Sequence, residues 1–139
     1  MSLRQPSVIF PDVTAAVVTY LTLELSRRPA VDTYADEVTV LDRAPEGEWP
    51  TRRLVTIRDD GGQRSGPVTK TCALGVNVWA ESHADCSDLA RLVVALLESA
   101  HGTPFVGHVS TQGPYLVTEE GPKVRRYAVV TLTIQGSAL

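Results

Sequence analysis

The stretch from Lys70 to His101 constrains the fold most, because a strand pattern passes almost directly into a helix pattern. In Leu74-Gly75-Val76-Asn77-Val78-Trp79-Ala80, alternate side chains point to opposite faces of a sheet. Leu74, Val76, Val78 and Ala80 share one face; Gly75, Asn77 and Trp79 share the other. Ser82 then offers a hydroxyl to the free amides of a helix start. Asp85 stands where a capping box usually has Glu. Cys86, Leu89, Ala90, Val93, Leu96, Leu97 and Ala100 follow at three- and four-residue steps, which makes one apolar stripe. Asp88, Arg91 and Glu98 lie off it, and His101 with Gly102 closes the helix. Such a unit can bury both apolar surfaces only by laying the helix on the sheet.

The flanking chain extends this scheme. Met1 to Pro11 reads as a leader, mobile at its start, with Val8-Ile9-Phe10 tucked under a first helix. Asp12 is a suitable N-cap. Val13, Ala16, Val17, Tyr20, Leu21, Glu24 and Leu25 keep helical spacing, and Arg27-Arg28-Pro29 supplies a stop. Thr14, Thr19 and Thr22 are poor helix formers, so packing must hold this helix more than propensity does. Glu37–Leu41 reads as a short strand, Arg43–Pro50 as a loop and Arg53–Arg58 as a second strand. Asp59-Asp60-Gly61-Gly62 reads as a turn, extended by Gln63–Pro67 into a projecting hairpin tip before the Lys70–Ala80 strand. Phe105–Ser110 is a fourth strand, Gln112-Gly113-Pro114 a break and Tyr115–Val124 a second excursion. Arg126–Ile134 is the longest β-type run and is read as a central or near-central strand. The expected class is α+β: a mostly antiparallel sheet of four to five strands with two main helices on one face.

The 139 residues suit one domain spanning 1–139. The formal net charge of -3 argues against a free-standing nucleic-acid binder, which is usually basic. No apolar run is long enough for a membrane span, and Met1–Phe10 has no signal-peptide core, so synthesis in the cytoplasm is expected. Cys72 and Cys86 read as buried thiols, although a pairing between them is not decided by spacing.

Nothing in the chain forms a recognisable catalytic set. The acidic pairs Asp59-Asp60 and Glu119-Glu120 match no cation loop and read as solvated loop tips. His83 and His101 stand at opposite ends of one helix and cannot share a metal, so neither metal nor cofactor is expected. Ser65 and Ser110 lack a nucleophile-elbow context. The sharper candidates are contact residues. Arg52-Arg53 and Arg125-Arg126 are basic pairs at strand starts, read either as edge protection or as subunit and partner contacts. Trp49, between Glu48 and Pro50, either folds back over the core or anchors a partner. Arg64, with Asp59 and Asp60, belongs to the expected hairpin tip.

The order of these elements resembles the tail terminator (tail completion) proteins of long-tailed bacteriophages, especially those infecting actinobacteria. The residues that carry the resemblance are Phe10-Pro11-Asp12 before the first helix, Trp49-Pro50-Thr51-Arg52-Arg53-Leu54-Val55 entering a strand, and Gly61-Gly62 at the hairpin. Val76-Asn77-Val78-Trp79-Ala80-Glu81-Ser82, Gly113-Pro114, and Arg126-Tyr127 before a strand ending at Gln135-Gly136 complete it over nearly the whole chain. The resemblance implies a non-enzymatic virion protein of the tail neck. It implies a ring, commonly of six copies, that ends tail-tube polymerisation and meets the head connector. Its partners would be itself, the tail tube protein and the head–tail connector protein. DNA would pass the lumen without specific binding, and no membrane is involved. The candidate contact residues are Trp49, Arg52, Arg53, Asp59, Asp60, Arg64, Glu119, Glu120, Arg125 and Arg126. A neighbouring connector or stopper protein of the same neck is the nearest alternative. A small ligand-binding or enzymatic α+β domain is the alternative from a different class.

Overall fold

The computed structural model describes residues 7–28, 33–118 and 120–139. The start of the leader, the helix stop expected at Pro29 and the candidate Glu119 lie outside the described residues. In chain order the elements are β1 (Val8–Ile9), α1 (Val13–Ser26), a short 3₁₀ turn (Thr33–Ala35), β2 (Val38–Leu41), β3 (Arg53–Arg64), β4 (Thr69–Ala80), α2 (His83–Glu98), β5 (Phe105–Val117), β6 (Val124–Gln135) and β7 (Ser137–Ala138). Five strands form one sheet in the order β2-β3-β4-β6-β5, while β1 and β7 form a separate two-stranded ribbon. The β2–β3 pair is parallel and the other pairs are antiparallel, so the class is α+β as expected.

Both helices cover one face of the sheet. Val13, Val17, Leu21 and Leu25 of α1 recur every four residues and join Val55, Ile57 and the inward side chains of β4 and β6 in one buried cluster. The β4 alternation places Leu74, Val76, Val78 and Ala80 in that cluster, as the pattern predicts. The α2 stripe of Cys86, Leu89, Ala90, Val93, Leu96 and Leu97 closes it from above, with Val94 buried beside them. α1 lies against β2 and β3, and α2 against β4, β5 and β6. Both helix starts are capped by local chemistry: the Asp12 carboxylate accepts from the Ala15 amide at 3.1 Å, and the Ser82 hydroxyl from the Asp85 amide at 3.2 Å.

Four details differ from the sequence reading, each for a non-local reason. Asp59-Asp60-Gly61-Gly62 is not a turn. The strand runs on through a β-bulge, and the reversal falls at Ser65–Val68. Gly62 permits the bulge, since a Cβ there would lie 1.6 Å from the Thr71 carbonyl oxygen. Likewise Gln112-Gly113-Pro114 bulges within β5 instead of ending it; Tyr115, Leu116 and Val117 pair with β6, and the excursion shrinks to about Thr118–Lys123. β5, at 13 residues, therefore outlasts the 12-residue β6, while β6 lies beside the central β4, the near-central place expected of it. Finally, Val8 and Ile9 pair with Ala138 and Ser137 rather than tucking under α1, and Ile9 is 61% exposed.

Candidate functional site

Two groups of candidate residues sit at opposite ends of the sheet. The register that sets Trp79 beside Arg125 also sets Thr69 beside Gln135, so the Trp49 loop and the β5–β6 turn share one end. The β3–β4 turn lies at the other. The face away from the helices carries Trp79, Asn77, Tyr127 and Arg125.

At the first end, Trp49 folds back. Its ring meets Trp79 edge-to-face with centroids 5.6 Å apart, and Lys123 Nζ sits 4.9 Å from the Trp49 centroid. From the other side Arg125 stacks 5.6 Å above Trp79 and donates from Nη1 to Asn77 Oδ1 at 2.8 Å. Arg52 spans two carboxylates, Glu37 Oε2 and Glu81 Oε2, each at 3.3 Å. Glu81 first and Glu37 second push its guanidinium further up, so it stays charged. Lys123 Nζ donates to the Arg52 carbonyl at 2.8 Å and approaches Glu81 at 3.9 Å, closing the network. Between them lies an open groove of about 530 Å³ lined by Glu37, Trp49, Arg52, Glu81 and Lys123. Trp49 thus folds back onto Trp79 on the outer face of the sheet, and it stays partly exposed along the groove.

Arg53 turns the other way. It is 7% exposed, its Nε donates to Asp85 Oδ2 at 2.6 Å and its Nη1 to the Asp36 carbonyl at 2.5 Å. Its guanidinium thus joins β3 to the start of α2. Asp85 accordingly does not complete the expected capping box, because its carboxylate serves Arg53. Arg126 also faces the helices, close enough to Cys86 to lower that thiol's pKa against the larger upward push of burial. Of the two basic pairs, therefore, Arg52 and Arg125 lie in the Trp49 network, while Arg53 and Arg126 turn toward the helix layer.

At the second end the candidate side chains make bonds close in sequence. Asp60 accepts from Arg58 Nε at 2.5 Å, Asp59 Oδ1 from the Gly61 amide at 2.8 Å, and Arg64 Nη2 donates to the Pro67 carbonyl at 2.5 Å. All three candidates are exposed. Glu120 is exposed at the bend of the β5–β6 turn, back at the Trp49 end. Lys123, Glu37, Glu81 and Trp79 complete the first network and were not marked as contact residues by the sequence. A cation next to Trp49 becomes visible only once β6 is paired with β4.

A third cluster was also unforeseen. Thr111 donates to Glu98 Oε2 at 2.7 Å and meets His108 Nε2 at 2.7 Å, tying β5 to the end of α2. Cys72 and Cys86 are free and fully buried, and burial pushes both thiols up. Among the described residues, no group of three His, Cys, Asp or Glu could hold a metal ion.

No protein-family model matches the chain, and no curated protein sequence matches it. Its fold is similar to that of a chain in the virion of a native gene transfer agent particle, with a TM-score of 0.60 and 16% identity. The match covers 91% of this chain and 100% of the other.

Proposed function

We propose that this protein is a structural component of a phage-type virion. More narrowly, we propose a tail terminator that forms a ring on the finished tail tube, stops its growth and presents a surface for head attachment. The observation that carries the reading is the fold shared, from end to end of the other chain, with a virion component. The residue pattern that resembles tail terminators adds the position within the particle. Physically, a ring needs only a contact between two different surfaces of the same chain, with a rotation per copy that divides the circle. The exposed hairpin end, with Asp59, Asp60 and Arg64, can meet a tube or connector without disturbing the core. Arg52 and Arg125 can do so only if their present partners are exchanged.

The test is assembly of the parent particle with this gene deleted. Overlong or ragged tails without heads are expected. Tails of normal length that fail to join heads would move the protein to the neighbouring connector position. Normal, infectious particles would overturn the reading.

A further inference from the structure

The free edges of the five-stranded sheet are not equivalent. Beyond Thr56, β3 has no β2 partner, and that open stretch carries Arg58, Asp59, Asp60 and Arg64, the charged pattern that keeps an edge in water. Among the described residues no strand pairs with the outer side of β5, and from Phe105 to Val117 it contains no Asp, Glu, Lys or Arg. It is also where exposed apolar side chains gather: Val106 is 55% exposed, Val109 54%, Tyr115 55% and Leu116 51%. Scattered exposed apolar residues mean little, but a row of them on one edge marks a contact surface.

The register of β5 shows what kind of contact fits. Its shifts leave Val106, Val109 and Gly113-Pro114 without partners on β6. Three interruptions, one with a proline that has no amide donor, spoil a long strand-to-strand ladder. Two of them instead hold a valine out into solvent. Such an edge suits packing of side chains against a smooth uncharged surface better than addition of another strand.

The same chain carries that surface on its other flank. α1 lies over β2 and β3, at the far side of the sheet from β5, and Glu24 is its single charged residue. Its outer side presents Ala15, Thr19, Thr22 and Leu23, all exposed, with Leu23 at 50%. A surface helix normally shows charge to water, and one whose outer side carries none is a candidate for being covered. Uncharged meets uncharged, and the threonine hydroxyls can bond the unpaired backbone groups of β5. We infer that copies of this chain associate head to tail, the outer edge of β5 on one copy docking against the outer face of α1 on the next.

This rests on the ring reading above and adds the two surfaces that would build it. Val109→Lys blocks the β5 side and Leu23→Lys the α1 side. Both residues are about half exposed, and circular dichroism and thermal melts should confirm that each variant folds. In analytical ultracentrifugation, each variant alone should need at least ten times more protein than the wild type to assemble. A 1:1 mixture of the two retains one working pair of surfaces and should stop at heterodimers. Arg58→Glu on the charged edge should assemble like wild type. If either variant assembles at the wild-type concentration, or the mixture gives no dimer, the inference fails while the ring reading stands. If the wild type stays monomeric at every concentration, both fail.

Discussion

At one end of the sheet, Trp49, Glu81, Lys123 and Arg125 arrive from segments far apart in the chain and hold one another; Lys123 and Arg52 are 71 positions apart. At the other end, Asp60 is held by Arg58, Asp59 by Gly61, and Arg64 by carbonyls of its own turn, all within three positions. Long-range contacts close large loops and so cross-link the fold. Short-range ones close loops that the unfolded chain closes nearly as well. The Trp49 end is therefore built to keep the fold together, and the hairpin end can change without unfolding it. A surface meant for partners is better placed where its side chains are not also holding the core.

This contrast can be broken most severely at Arg53. Removing a buried guanidinium strands Asp85 and the Asp36 carbonyl, and Arg53→Ala should cost about 3 kcal/mol in urea unfolding. A loss below about 1 kcal/mol would mean that the β3–α2 bond contributes little. Next is Trp49→Ala, which removes an aromatic pair and a cation over its face and should cost about 2 kcal/mol. If Trp49 is not part of the fold but only an anchor for a partner, stability will not move.

The two thiols sharpen the comparison, because each reports on a different end. Cys86 bonds the carbonyls of Val78 and Val124 beneath the Trp49 end, while Cys72 lies along β4 toward the hairpin, near Lys70 and Asp59. Both are fully buried, so a thiol reagent reaches them only through opening. In single-cysteine variants, Cys72 should label about ten times faster than Cys86, a difference of about 1.4 kcal/mol in opening. Equal rates would mean that both ends open together. Because burial raises both thiols, the native state keeps its protons when the unfolded chain has begun to release them. Stability should thus be flat below the ordinary thiol range near pH 9 and fall as the pH rises through it, and replacing both by Ala should flatten that fall. The smallest effect belongs to Asp60→Asn at the hairpin end, within about 0.5 kcal/mol, since its partner is exposed and screened.

The sequence shows the locally determined parts of this architecture clearly. Asp12 and Ser82 can be read as caps because a cap depends on residues three positions away. The apolar stripes of α1, β4 and α2 can be read because each has its own period. What cannot be read is whatever depends on pairing. Asp59-Asp60-Gly61-Gly62 has the composition of a turn, yet β4 holds it in register as a bulged strand. Gly113-Pro114 has the composition of a break, yet β6 carries the strand across it. Arg52 and Arg53 look alike as neighbours, and only the alternation of β3 sends one to solvent-exposed carboxylates and the other into the core. At the candidate site, Trp49 and Arg125 stand out as residue types, whereas Lys123 and Trp79 gain meaning only from the register that sets Trp79 beside Arg125.

The central claim is that this chain works as one subunit of a closed circle. Electron microscopy of the purified full-length protein at high concentration tests it most directly. Closed rings of a single subunit number are the expected result. Lone subunits throughout, or open fibres of no fixed length, would contradict it.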